Sequence, residues 1–218
     1  MCSRYYRFKD LKDLITRFKI AQILSTLGLQ YNIAPTDLAV VIPATDNDRI
    51  AKDLIFGIIN PFMKGKSSLL MNMRAESFVE KPHFRPYLLN QRCLVIADGF
   101  IEWERNKNGK KMKQSIPYRI DPRNHETVGL AGIWDHEGFV IITTEPNPTV
   151  AEIHDRAPVI LRREEEDVWL DSNVKDFTKL ITMLVPSPSD ALEKAAISTL
   201  ASNSKNKASE ILIPVSGH

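Results

Sequence analysis

The stretch from Cys93 to Thr144 limits the fold more than any other part of the chain. RCLVIADGFIEWER reads as a strand, NKNGKKMKQ as a basic turn, and IPYRI as the returning strand. TVGLAGIWD and GFVIITTE form the next pair, with HEG at the turn between them. Short apolar runs joined by tight polar turns pair as sequence neighbours, because a hairpin needs only a few residues to reverse the chain. A chain with this centre folds around antiparallel sheet.

The flanking segments add helices and more strands. Over residues 9–28, Leu11, Leu14, Ile15, Phe18 and Ile23 recur at helical spacing before Gly28, which predicts a helix or a pair of short ones. YNIAP is turn-rich. DLAVVIPA and DLIFGIIN read as buried strands, the second ending at Asn60-Pro61, and SLLMNMRAESF as a strand running into polar residues. Short helices are predicted over 84–91 and 189–195. RREEEDVWL is a helix whose acidic first turn suits the helix dipole. The 218 residues suffice to bury a real core. The expectation is an α+β fold, mostly antiparallel, in one domain spanning residues 1–218.

Charge and cysteine content narrow the function. A formal net charge of +2 argues against a bulk polyanion binder and leaves room for a local basic groove. Cys2 and Cys93 form no disulfide framework. The start of the chain lacks a signal-peptide pattern. LAVVIPA and FGIINPF are too short to span a bilayer, so the expected setting is soluble and cytoplasmic, where Cys2 is a free thiol. CxxC, HxxxH and HExxH spacings and a phosphate-binding glycine fingerprint are all missing, and neither a metal nor a cofactor is expected.

Four places carry unusual chemistry. Cys2 directly follows the initiator Met1, and its small side chain favours Met1 removal. The product is an amino-terminal cysteine with an α-amine of pKa about 7.7–8.0 beside a thiol of about 8.5. Such a 1,2-aminothiol attacks an aldehyde twice, the amine forming a Schiff base and the sulfur closing a five-membered thiazolidine. In NMRAESF, period-two spacing puts Asn72, Arg74 and Glu76 on one face of a strand, either a solvated face or the lining of a polar pocket. Glu102 sits in an apolar strand, on one face with Phe100 and Glu104, where burial is costly unless the carboxylate is paired or functional. Finally, TTEPNPTVAEIHDRAPVIL holds Ile-His-Asp-Arg between prolines, so Asp155 and Arg156 are placed to tune His154.

In this order along the chain, MCSRY, YNIAP, FGIINPF, NMRAESF, RCLVIADGFIEWE, LAGIWD and TTEPNPTVAEIHDRAPVIL resemble the motifs of the SRAP (SOS response-associated peptidase) family of abasic-site processing proteins. The resemblance covers about residues 1 to 200. It implies antiparallel sheets forming a barrel-like core flanked by helices, with Cys2 at the floor of a DNA-facing groove. It further implies that the mature Cys2 cross-links, as a thiazolidine, to the ring-opened aldehyde of an abasic site in single-stranded DNA, shielding the lesion.

By matching position, the resemblance assigns Cys2 as nucleophile and Asn72 to positioning the amino group and sugar. Glu102 manages protons at the amine and Schiff base, and His154 acts as acid and base in opening the sugar. Arg4, Arg74 and Arg156 are expected on phosphates, Trp103 or Pro35 on a base or sugar, and Thr143 among the DNA-contacting residues. The expected partner is single-stranded DNA containing abasic sites, bound by a monomer that becomes nucleoid-associated on DNA. The sequence departs from the pattern at Ser3, where the family carries glycine, and at Ile96, where it carries proline. Phe56 and Phe62 stand in place of tryptophans, and phenyl rings stack on or wedge DNA more weakly. Two other functions fit the same residues: a cysteine peptidase acting on its own Met1-Cys2 bond, and a noncovalent DNA-binding module.

Overall fold

A computed structural model describes residues 2–59, 69–105 and 115–215. The basic turn at 106–114, the Asn60-Pro61 strand end and Phe62 lie outside the described residues. In chain order the first elements are β1 (Tyr5–Arg7), α1 (Leu11–Phe18), β2 (Ile20–Ile23), β3 (Gln30–Ile33), β4 (Leu38–Pro43) and β5 (Arg49–Phe56). They are followed by β6 (Ile58–Ile59), β7 (Leu69–Leu70), β8 (Asn72–Arg74), α2 (Ser77–Glu80) and α3 (Arg85–Asn90). The central strands are β9 (Arg92–Ala97), β10 (Gly99–Trp103), β11 (Pro117–Pro122), β12 (Val128–Trp134) and β13 (Gly138–Thr144). Then come α4 (Pro148–Ala151), β14 (Ala157–Pro158), α5 (Arg163–Leu170), α6 (Phe177–Ile181) and β15 (Leu192–Ala196).

The fold is mixed α+β. One sheet runs β15-β11-β10-β1-β3, entirely antiparallel. The larger runs β14-β13-β12-β9-β4-β5-β2, with β8 added to β13. Its hairpins are antiparallel, while β2 with β5, β5 with β13 and β8 with β13 pair in parallel. Tyr5, Ile33, Phe100 and Ile120 of the first sheet share a core with Val41, Val95, Phe139 and Ile141 of the second, which gives the barrel-like interior. A second core lies under α1, α3, α5 and α6 around Trp169. Among the described residues, no helix is long and apolar enough to cross a membrane.

Several sequence expectations are corrected. RCLVIADGFIEWER is two strands, β9 and β10, belonging to different sheets. The switch occurs at Asp98, whose carboxylate accepts the N–H groups of Phe8 and Lys9 and the Thr127 hydroxyl. Gly99 follows because a Cβ there would lie 2.1 Å from the Tyr6 hydroxyl and 2.7 Å from the Ile120 carbonyl. The 9–28 segment is helical only to Phe18. Lys19 takes a left-handed conformation (φ 53°) that ends the helix, and Ile20 starts a strand along β5. YNIAP begins as strand β3 and turns only after Ile33. The helix expected at 189–195 is instead β15, whose pairing with β11 overrides the helical propensity of ALEKAA. Asn72 and Arg74 do lie on a strand, but it stops there. Asn72 is buried and Arg74 exposed, and Glu76 sits in the turn that starts α2.

Candidate active site

The antiparallel register of β1 and β10 builds the site. Tyr5 opposes Phe100, and the Ile101 N–H donates to the Arg4 carbonyl at 3.0 Å, so the chain preceding β1 runs beside Glu102. Cys2 is fully buried in the shared core, and its Sγ donates to the Arg4 carbonyl at 3.6 Å. Burial, reinforced by the Glu102 charge, pushes the Cys2 thiol far above its ordinary pKa. The resting sulfur is therefore a thiol.

Glu102 and His154 form the polar wall beside it. Glu102 is 3% exposed, and burial raises its carboxyl to about 7. His154 Nε2 stands 3.7 Å from Glu102 Oε2, and burial lowers the imidazole to about 4. Its Nδ1 lies 3.0 Å from the Arg156 backbone nitrogen, 3.2 Å from the Arg156 carbonyl and 3.1 Å from Asp155 Oδ1, contacts that fix the ring with Nε2 facing Glu102. Near neutral pH the site thus holds a neutral imidazole, a protonated thiol and a carboxyl balanced between its two forms. Pro148 opens α4 and Pro158 closes β14, and His154 lies in the tight segment between them.

Asn72 enters from β8, opposite Ile141 of β13. Its side chain is buried, and neither Nδ2 nor Oδ1 has a hydrogen-bond partner among the described residues. Native proteins rarely leave both ends of a buried amide unsatisfied, and where they do the group commonly serves a ligand.

The remaining expected residues fall into two groups. Arg74 is exposed, and Arg4, Trp103 and Pro35 are half-buried at the surface. The Arg4 guanidinium lies 5.9 Å from the Trp103 ring centroid. Arg156 and Thr143, by contrast, are internal. Arg156 makes a bidentate pair with Glu76 at 2.8 and 2.9 Å and donates to the Thr143 carbonyl at 2.7 Å. This pairing holds the Glu76 carboxyl below its usual range. The Thr143 side chain is fully buried, its hydroxyl 3.5 Å from the Met73 carbonyl. Phe56 packs edge-on against Tyr5 and is stacked with Phe139, with ring centroids 5.6 and 5.3 Å away, so this ring belongs to the core and presents no face to DNA.

Sequence reasoning passed over Arg105. It pairs with Asp155 at 3.3 Å, and its N–H donates to the Ile153 carbonyl at 3.2 Å, tying the end of β10 to the His154 segment. Its place two residues beyond Trp103, in EWER, was the available signal. Among the described residues, no group of three His, Cys, Asp or Glu is arranged to hold a metal ion.

The chain is 34% identical to the abasic site processing protein YoaM of Bacillus subtilis (strain 168), over 97% of each chain. It is 26% identical to the abasic site processing protein YedK of Escherichia coli (strain K12), over 85% of each. In fold it is similar to a crystal structure of a protein from Bacteroides thetaiotaomicron, with a TM-score of 0.84, 22% identity and coverage of 98% of this chain and 100% of that one. With residues 1–204 matching the family's description, the chain belongs to the SOS response associated peptidase (SRAP) family.

Proposed function

We propose that this protein processes abasic sites by joining itself to them. The mature Cys2 captures the ring-opened sugar of an abasic site in single-stranded DNA as a thiazolidine. The relatives named abasic site processing proteins support the substrate class. The observation that carries the mechanism is the burial of Cys2 beside Glu102 and His154.

The abasic sugar rests mostly as a closed hemiacetal. Opening it removes a proton from the anomeric hydroxyl and returns one to the ring oxygen. A neutral His154, its Nε2 facing Glu102, is suited to shuttle that proton. Once Met1 is removed, the Cys2 α-amine adds to the aldehyde carbon. The carbinolamine loses one water to give the imine. The Glu102 carboxylate, near pKa 7, takes the proton from the α-ammonium and returns a proton to the departing hydroxyl. The Cys2 sulfur then adds to the imine carbon while its proton passes to the nitrogen, and the five-membered ring closes. The net change is addition of sugar to protein with loss of one water. The paired orphan atoms of Asn72 supply one donor and one acceptor for the sugar or the amine.

The peptidase alternative attacks with the sulfur as a thiolate. Burial and the Glu102 charge favour the thiol instead, which supports a route in which the amine attacks first. The decisive test mixes Met1-free protein, verified by intact mass, with single-stranded DNA bearing one abasic site. The expected result is a denaturation-resistant adduct whose mass is the sum minus one water. It should be lost in Cys2→Ala and absent on intact DNA. No adduct from verified Met1-free protein overturns the proposal.

A further inference from the structure

Residues 198–212, which follow β15, wrap back across the face that carries Trp103, Arg4 and Pro35. Three observations place this strap. Ala201, Ile211 and Leu212 are buried and build a small core with Tyr6, Ile101 and Ile197, against which Trp103 packs. Ser202 Oγ accepts the Trp103 indole N–H at 2.9 Å. The buried Asn32 amide donates to the carbonyls of Asn203 and Asn206 at 3.1 and 2.9 Å.

The strap also reaches the turn after β3. Lys207 Nζ donates to the Asn32 carbonyl at 2.7 Å and pairs with the Asp37 carboxylate. Asp37 in turn accepts the Ala34 N–H at 2.8 Å, so the Lys207 charge is attached to the turn that holds Pro35 and the left-handed Thr36 (φ 77°). An uncompensated Asp37 on this wall would repel a phosphate backbone. Lys207 cancels it.

We infer that the 198–212 strap is a positioning element for nucleic acid: through Ser202 it fixes the Trp103 indole as a stacking surface, and through Lys207 it holds and neutralises the Asp37 turn. This rests on the reading of single-stranded DNA as the substrate. Ser202 bonds to Trp103, and Lys207 to Asn32 and Asp37, so the strap acts on capture of the strand and leaves the chemistry alone.

The test measures adduct rate against DNA concentration, together with equilibrium binding to intact single-stranded DNA, for Ser202→Ala, Lys207→Gln and the double variant Asp37→Asn/Lys207→Gln. Loss of one positioning hydrogen bond is worth about fivefold in affinity. Ser202→Ala and Lys207→Gln should each raise the half-saturating DNA concentration about fivefold at an unchanged saturating rate. Asp37→Asn/Lys207→Gln should recover most of the Lys207→Gln loss, since the asparagine oxygen still accepts from Ala34. Wild-type half-saturation in both single variants overturns the strap, as does a double variant no better than Lys207→Gln. If the protein binds intact single strands but forms no adduct, the cross-linking proposal fails, and the strap is judged by binding alone. If the parent forms the adduct but binds intact single strands no more tightly than the variants do, the strap is overturned and the cross-linking proposal stands.

Discussion

His154 Nε2 lies 3.7 Å from Glu102 Oε2, with both side chains almost entirely withdrawn from water. Burial shifts the two groups in opposite directions, and their effects on stability have opposite signs. The folded Glu102 carboxyl keeps its proton up to about pH 7, whereas an unfolded one releases it near 4.5. Stability therefore falls as pH rises across that interval. The unfolded imidazole takes up a proton near 6.5 and the folded one only near 4, so stability falls as pH drops across that interval. Between about pH 4.5 and 6.5 the two slopes oppose each other. The parent protein should show a flatter urea-stability profile than either variant. His154→Gln should unmask a decline with rising pH, and Glu102→Gln should unmask a decline with falling pH, each on the order of 2 kcal/mol.

In the proposed mechanism the same carboxyl governs rate. Adduct formation at saturating DNA should rise with pH through an apparent pKa near 7 as Glu102 ionises. Glu102→Gln should be slower by about a hundredfold and should lose that inflection. Stopped-time gels across pH 5.5–8.5, buffers being the only variable, check this. An inflection that persists in the variant rules out Glu102 as its origin.

Replacing Asn72 separates stability from activity. Its two unsatisfied amide atoms make it a cost to the folded protein alone. Asn72→Leu should leave thermal stability equal or raise it by about 1 kcal/mol. It should nevertheless slow adduct formation at least tenfold. Loss of both stability and activity would mean that the amide has partners within the fold.

Arg74 and Arg156 are arginines of different kinds. Arg74→Ala should leave stability within about 0.5 kcal/mol. It should weaken binding to single-stranded DNA and reduce the slope of log affinity against log salt by about 1. Arg156→Ala removes a bidentate partner of Glu76 and a donor to Thr143 from a largely buried setting. It should destabilise the fold by about 3 kcal/mol, with Glu76→Gln recovering part of the loss. Urea denaturation and salt-titrated binding distinguish the two.

The hairpins of residues 93–144 were legible because local pairing follows local pattern. Glu102 and His154, which the structure buries side by side, stood out as well, since glutamate inside an apolar strand and His-Asp-Arg between prolines are costly arrangements that sequence displays openly. What stayed hidden depends on distant partners. β15 reads as a helix until β11 lies beside it. ADG reads as strand interior until Asp98 is seen capping Phe8 and Lys9 at the point where the chain changes sheets. The pairing of Arg156 with Glu76, eighty residues earlier, was likewise invisible in the sequence. The strap looked like a polar tail because the Asn32 amide anchors it by the main-chain carbonyls of Asn203 and Asn206, which carry no signature in side-chain type.

The seclusion of Cys2 also bears on the lifetime of the reagent. Peroxides and alkylating agents consume thiolates, and a thiol held protonated and out of solvent is a poor target for them. In the cross-linking we propose, the protein spends one molecule per lesion. It gains from keeping that single sulfur unspoiled through long waiting, and from releasing its reactivity only once an aldehyde has already been caught by the neighbouring nitrogen.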